Sequence, residues 1–358
     1  MIYKFEEITR EEIIGYLNES DPVKIQAYLD EADRVKVENI GSKVFLRGLI
    51  ELSNICVKNC YYCGIRHDNN NLVRYELTDK QVLDAAEFAW KSRYGSLVLQ
   101  AGERSNPTYT RRVAGLVRKI KDITNGEVGI TLSLGEQPRE VFQEWFESGA
   151  HRYLLRIESS NPDLYNKIHP NNKLHSYDRR LEAIYDLISI GYQTGTGVMI
   201  GLPYQTTEDL ADDLLFIKKI GVHMVGMGPY LKHSDTPLGK ILQHNPTLDL
   251  TLKMVATLRM MMPMINIAAT TAMQVIEPFG RERAVKSGAN IIMPNMTISE
   301  VRSNYQIYEN KPGINDDAAI SKSKLEHNLK EMGIEIGWNE WGDSKAFGHP
   351  QRECSVKK

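Results

Sequence analysis

Three cysteines, Cys56, Cys60 and Cys63, fall within one eight-residue stretch of a chain that has only four. Their C-x3-C-x2-C spacing puts three soft thiolates on one short loop, and soft thiolates select zinc or iron–sulfur clusters over hard cations. A disulfide framework would spread its cysteines along the chain. Clustering in a cysteine-poor sequence points instead to a metal site in a reducing compartment, for which the cytoplasm is the natural expectation. Two metal chemistries stay open. With His67 the three cysteines make a Cys3His set that suits tetrahedral zinc. A [4Fe–4S] cubane has one more iron than the loop has thiolates, which leaves a corner free to bind and reduce a substrate. Cys354 lies too far along the chain to be assigned as a ligand and reads as a free tail thiol.

Such a loop has to be held by rigid elements. It follows VFLRGLIELS (Val44–Ser53), a nearly continuous apolar run of the kind found in parallel strands covered on both faces. Further strand patterns are Ser96–Gln100, Glu127–Leu134, Arg152–Glu158, Gln193–Ile200, Met224–Tyr230, Asn266–Thr271 and Asn290–Asn295. Helical patterns lie between them. One starts at the capping pair Thr78 and Gln81 and turns Val82, Leu83, Ala86 and Trp90 to one face; another follows Thr206 with Leu210, Leu214 and Ile217 inward. Strand–helix alternation repeated eight times over about 250 residues predicts a (β/α)8 barrel. An open doubly wound sheet is the alternative, because the pattern does not show closure. In a barrel the cysteine loop sits at the C-terminal mouth, where this fold carries its chemistry and where a closed structural zinc has no need to be.

The barrel is expected over residues 44–297. Residues 1–43 read as helical, with Thr9 and Glu12 capping a run through Ile13, Ile14 and Leu17, and a second helix from Pro22 to about Val37. Residues 298–358 form an extension with a helix at Ser321–Met332 and a tail containing Gly and Trp, expected on the barrel exterior. Lys and Arg total 44 against 46 Asp and Glu, a formal net charge of -2, so charge makes no case for nucleic acid or an anionic membrane. No basic block followed by an apolar stretch opens the chain, so no secretory signal is expected. The most apolar stretch, Met254–Met273, contains Arg259 and Pro263 and reads as helix, turn and strand rather than a membrane span.

The cysteine motif, with Tyr62 just ahead of its last member and a first barrel strand just before it, resembles the fingerprint of the radical S-adenosylmethionine (SAM) superfamily. That resemblance implies a [4Fe–4S] cluster on Cys56, Cys60 and Cys63. SAM is then chelated at the open iron and cleaved by one electron to methionine and a 5′-deoxyadenosyl radical, and Tyr62 is counted with the cofactor-binding residues. Gly102-Glu103 resembles the superfamily's GGE element, with Ala101 in place of its first glycine, and is implied to bind the methionine amino group. A glycine at a strand end lets the backbone approach a ligand, and Glu103 supplies an acceptor for an ammonium. Arg156 and Glu158, two apart on a strand, share a face. Glu158 resembles the ribose-binding carboxylate and Arg156 the guanidinium near the SAM carboxylate; a plain buried ion pair is the alternative. Arg180 matches an arginine near SAM, with Arg179 a competing choice. Gly197–Pro203 resembles the element whose backbone flanks adenine, which places Met199 there.

Longer strings, among them IELSNICVKNCYYCGIRHDNNNLVRY, ITLSLGEQPRE, VGMGPYLKHSDTPL, AATTAM and GANIIMPN, are similar to the HydE family, the radical SAM maturases of [FeFe]-hydrogenase, which are related to biotin synthase and methylornithine synthase. The resemblance implies a small organometallic substrate: an iron bearing carbon monoxide, cyanide and cysteine, delivered from HydG, attacked at the cysteine sulfur and passed on toward HydF. A flavodoxin or ferredoxin is implied as the electron donor. Thr131, Ser133, Thr270 and Thr271 sit on strands expected to line the interior, where their hydroxyls could bond cyanide nitrogen or carboxylate oxygen, or simply pack and bond to backbone. Met224 and Met273 are further candidate liners. Some members carry a second cluster on C-terminal cysteines; Asn304–Lys330 has none, so no second cluster is expected. Ala101 and Arg104 depart from the family pattern. A methylornithine synthase-like enzyme on an amino-acid-type substrate is the alternative. A biotin synthase-like one would need ligands for an auxiliary cluster, and only Cys354 remains. Because a radical must be kept from water, the Asp68–Asn71 region or the C-terminal segment is expected to cover the mouth.

Overall fold

The computed structural model of the chain describes residues 8–241, 248–313 and 318–348; Cys354 lies outside them. Eight parallel strands close into a barrel in chain order: β1 (Phe45–Ser53), β2 (Ser96–Ala101), β3 (Gly129–Ser133), β4 (Arg152–Leu154), β5 (Gln193–Thr196), β6 (Met224–Val225), β7 (Asn266–Ala269) and β8 (Ile291–Ile292). Closure comes from β8 pairing with β1, Phe45 opposite Ile291. The open sheet is thereby excluded.

The helices between the strands start where the caps predict. Thr78 and Gln81 bond reciprocally at the head of Asp79–Lys91, and Thr206 with Asp209 does the same for Thr207–Ile220. Each such box satisfies N–H groups that the first helical turn leaves without a partner. The N-terminal helices Arg10–Asn18 and Pro22–Ile40 lie against the barrel helices Thr207–Ile220 and Leu248–Met261, the first tied by Arg10 to Asp212 at 2.6 Å. Between barrel and outer helices the core is apolar and aromatic: Phe142 and Trp145 meet Tyr153 of β4, with ring centroids 5.0 and 6.3 Å away. The Met254–Met273 stretch is the end of one helix, a turn, β7 and, after a second turn, the first residue of the short helix Met273–Ile276. Among the described residues no helix is long and apolar enough to cross a membrane.

Several strands are shorter than their apolar runs. The Arg152–Glu158 run pairs as a strand only to Leu154, and the runs from Gln193 and Met224 break and re-form as a separate pair, Met199–Ile200 with Gly228–Pro229. The break has a steric cause. A Cβ on Gly197 would stand 1.9 Å from the carbonyl oxygen of Gly226, so the backbones there come closer than a regular ladder with side chains allows. Leu155, Ile157 and Val198 remain buried beyond the strand ends, which is why the runs stay apolar.

The C-terminal extension does more than lie on the exterior. Its segment Trp341–Ser344 closes the N-terminal end of the barrel. Arg47 Nη2 and Asn266 Nδ2 donate to the Gly342 carbonyl (3.1 and 2.8 Å), Ser96 Oγ and Arg152 Nη1 to that of Trp341 (2.8 and 3.1 Å), and Gln193 Oε1 accepts from Ser344 N–H (2.9 Å). Arg152 also pairs with Asp343, whose Oδ1 lies 3.2 Å from His151 Nε2. Burial pushes His151 down to about 4. Burial alone would raise the Asp343 carboxyl, but the His151 hydrogen bond and the Arg152 charge hold it well below the usual carboxylate range.

Both groups therefore bind protons less readily folded than unfolded, and their stability contribution is complete only above pH ~6.5, the ordinary histidine value. It is lost as pH falls, first through the His151 window down to about 4 and then below the ordinary carboxylate range as Asp343 protonates. The melting temperature should drop across that acid range, and Asp343→Asn should melt lower at pH 7 yet fall less steeply; a pH-melting series on both proteins checks this.

Candidate active site at the barrel mouth

The cysteine loop leaves β1 at the C-terminal mouth and is pinned on several sides by backbone bonds. Val57 N–H donates to Glu103 O (3.0 Å), Tyr61 N–H to Ile168 O (3.0 Å) and Gly64 N–H to Ile307 O (2.9 Å). The β2 end lies directly beneath. Gly102 N–H donates to Ser53 O at 3.0 Å, and a Cβ on Gly102 would meet Ile55 O at 2.4 Å and Cys56 Cβ at 2.7 Å. Gly102→Ala should push the loop off its seat: we expect correctly folded protein that retains less than half the iron of wild type after reconstitution, measured by iron analysis beside the circular dichroism spectrum.

Cys60 is buried, and Cys56 and Cys63 are partly so. Burial pushes all three thiols up, Cys60 to about 12, and for Cys60 and Cys63 the neighbouring sulfurs add to it. Metal ligation reverses that preference, because a cation takes the thiolate outright. The Cys56 sulfur already faces two donors, the N–H groups of Lys58 (3.4 Å) and Glu103 (3.3 Å). The donor set fits an iron–sulfur cluster. It does not gather as the zinc alternative requires. His67 is mostly exposed, and its Nδ1 bonds Asp68 at 2.9 Å. Among the described residues no three His, Cys, Asp or Glu side chains converge as the ligands of one ion would.

Beside the cysteines lies a buried quartet of charges. Lys58 Nζ reaches Glu103 Oε1 (3.2 Å) and Glu136 Oε2 (3.0 Å) and donates to Leu174 O. Arg180 Nε meets Glu136 Oε1 at 2.5 Å, and its Nη2 lies 3.8 Å from Glu103 Oε2. Glu103 Oε2 also accepts from the N–H of Glu136 (2.9 Å). Burial raises the Glu103 carboxyl against the pull of Lys58 and Arg180. At Glu136 those two cations overcome burial and hold the carboxyl below its ordinary value. Two cations and two carboxylates balance, as burial of charge demands. Arg179 points elsewhere, to Gln137 O (2.8 Å) and Glu182 (2.8 Å).

Arg156 and Glu158 do face one way, with Arg156 Nη2 at 2.9 Å from Glu158 Oε2 and 2.8 Å from Val198 O. Arg180 Nη1 donates to Arg156 O (3.3 Å), which joins this pair to the quartet. Glu158 has φ +68, a left-handed value costly for a residue with a side chain. It is held by Gly197 O, which accepts its N–H at 3.0 Å, and by Met199 N–H, which donates to its carbonyl at 3.1 Å. Met199 belongs to an apolar wall with Leu164, Leu202 and Tyr230 against which Tyr62 packs.

Four contributors escaped the sequence reading: Lys58, Glu136, His169 and His175. Tyr62 hydroxyl donates to His169 Nε2 (3.1 Å) while His169 Nδ1 donates to Tyr165 O (2.9 Å); Asn59 N–H donates to His175 Nε2 (2.8 Å). Burial lowers His169 to about 3 and His175 to about 4, so both accept as neutral imidazoles at neutral pH. Lys58 lies inside the cysteine motif, and Glu136 lies in the segment ITLSLGEQPRE.

The residues assigned to substrate are spread in depth. Thr131 is buried toward the floor, its Oγ1 accepting from Arg152 Nε (3.0 Å), and with Arg47, Leu154 and Met224 it lines an interior cavity. Ser133 stands two residues higher and is only partly buried. Thr270 Oγ1 is buried without a hydrogen-bond partner. Thr271 is half-buried, and Met273 is buried in a short helix, Met273–Ile276.

Comparison with known proteins adds to this geometry. A family model described as the Radical SAM superfamily matches residues 50–217. The chain is 45% identical over 305 residues to the [FeFe] hydrogenase maturase subunit HydE of Thermotoga maritima, covering 85% of each chain. It is 28% identical over 263 residues to the biotin synthase of Trichodesmium erythraeum, covering 71% and 69%. In fold it is similar to methylornithine synthase (PylB), at TM-score 0.80 and 21% identity over 94% and 96% of the two chains. The maturase HydG of Carboxydothermus hydrogenoformans follows at TM-score 0.74 and 21% identity over 92% and 76%.

Proposed function

The chain belongs to the HydE family of [FeFe] hydrogenase maturases within the radical SAM superfamily, and from that premise we propose that its substrate is an iron synthon carrying two carbon monoxides, one cyanide and cysteine. The observation that carries the reading is the 45% identity across 85% of both chains. Residue by residue, Cys56, Cys60 and Cys63 hold the cluster. A [4Fe–4S] cluster with SAM on its open iron supplies one-electron cleavage of the sulfonium and a 5′-deoxyadenosyl radical.

The chain's own residues then orient and shield. Glu103, which burial pushes toward the neutral form and Lys58 and Arg180 pull back toward the carboxylate, takes the methionine ammonium. Arg156 takes the SAM carboxylate and Glu158 the ribose hydroxyls, at the cost of the ion pair between them. Tyr62 and Met199 provide the apolar wall against adenine. Ser133, Thr270 and Thr271 offer hydroxyls to cyanide nitrogen or carboxylate oxygen, and Thr131, whose Oγ1 accepts from Arg152 Nε, keeps its O–H to donate. In this proposal a HydG-type enzyme delivers the synthon, HydF receives the product, a flavodoxin or ferredoxin in the cytoplasm supplies electrons, and no second cluster takes part.

Anaerobically reconstituted protein should form 5′-deoxyadenosine from SAM and dithionite. With an iron–carbonyl–cyanide cysteine complex present, its infrared carbonyl and cyanide bands should decay in step. Cleavage without any change in those bands, together with turnover of a free amino acid, would replace this substrate with an amino acid and favour the methylornithine synthase-like alternative.

A further inference from the structure

Residues 304–311 belong to the C-terminal extension, yet their bonds lead back to the mouth. Asn304 O accepts from Asn54 Nδ2 (2.8 Å), and Ile307 O accepts from Gly64 N–H (2.9 Å) in the cysteine loop. The Tyr305 hydroxyl accepts from Gln100 Nε2 (3.2 Å) on β2. Across the opening, Glu309 N–H donates to Lys232 O (3.3 Å) and Glu309 Oε1 accepts from Ser234 N–H (2.8 Å). Lys311 ends the segment. Its ammonium pairs with Glu51 Oε1 and lies 3.3 Å from Tyr305 O.

Glu51 is a β1 residue in register with Gln100 of β2, and its other oxygen accepts from Asn295 Nδ2 (3.0 Å). Both side chains of the pair are nearly inaccessible, 8% exposed for Lys311 and 2% for Glu51. Among the described residues Lys311 is the one cation in an ion pair with Glu51. A pair of this kind suits a latch. Closed, it neutralises two buried charges; opened, each charge regains its hydration, so the two states are nearly balanced.

We propose that residues 304–311 form a strap closing the mouth and that Lys311, through Glu51, is the positioning residue that holds it shut. The strap links the rim at β1 and β2 to the segment after Gly228–Pro229, over the space where substrate must enter. The inference rests on the maturase reading only in treating the mouth as the reaction space. Its test does not, since the readout is hydrogen exchange of the full-length protein, metal-free and reconstituted.

In Lys311→Met the Glu309 and Gly64 amides should exchange at least about tenfold faster, through local opening. In the double variant Glu51→Gln/Lys311→Met the lone buried carboxylate is gone, so the melting temperature should return toward wild type while those two amides stay fast. Wild-type exchange at both amides in the double variant would show that Lys311 only neutralises Glu51, and would overturn the proposal. Lys311→Arg should keep wild-type protection. Wild type gives a reading that does not depend on any variant folding: one latch governs both amides, so they should show the same opening equilibrium, and clearly different values would also overturn the proposal.

Discussion

Replacing Cys60 with alanine should reduce 5′-deoxyadenosine formation to background while leaving the barrel folded. Cys60 is the most enclosed thiol of the loop, and the substitution removes one of the three thiolates proposed to hold the cluster. A cluster that would be left with two thiolates should lose iron, and with it the chemistry that SAM cleavage would draw on. Iron per chain should fall well below that of wild type after identical reconstitution. The side chain lost is small and the loop keeps its backbone anchors at Val57, Tyr61 and Gly64, so the circular dichroism spectrum should not change. Undiminished SAM cleavage by Cys60→Ala, with iron still bound, would dismiss the cluster assignment.

Glu103→Gln is expected to have the next largest effect, seen first in SAM affinity. The substitution keeps shape and one acceptor but removes the carboxylate proposed to meet the SAM ammonium. A hydrogen bond to a charged group is worth about 1.5–3 kcal/mol, which corresponds to roughly ten- to hundredfold weaker binding. Rate at saturating SAM should change less than KM. The same substitution unbalances the buried quartet, leaving Lys58 and Arg180 with Glu136 alone, and so some loss of thermal stability should accompany it. Glu136→Gln separates the two effects. It unbalances the quartet equally, but Glu136 is not assigned to the SAM ammonium, so it should lower the melting temperature with a smaller rise in KM. An identical KM for both variants would show that net charge, not a contact from Glu103, governs binding.

Much of this was legible from local patterns, and the reason is physical. The motif of Cys56, Cys60 and Cys63, the capping boxes at Thr78 and Thr206 and the eight apolar runs are encoded within a few residues each. Strand ends were less legible. Ile157 and Val198 are as buried as strand residues although neither lies in a barrel strand, so apolarity overstates strand length at the mouth. The quartet was hidden for a different reason. Lys58, Glu103, Glu136 and Arg180 come from loops or helix starts after four different strands, and only closure of the barrel brings them together. His169 and His175 look like ordinary loop histidines until the cysteine loop folds onto them. The extension was the least legible part: nothing in its composition tells that Trp341–Ser344 fits one end of the barrel and Lys311 the other.

With Arg47, Arg152 and Asn266 fastening the tail across the base, the described residues cover that end, and traffic is expected through the mouth. Whatever is converted inside must depart by the route along which it came. Arrival of the next reactant and departure of the last product should then compete for one path, and an excess of incoming material is expected to slow turnover, which initial rates over a range of substrate concentrations would show.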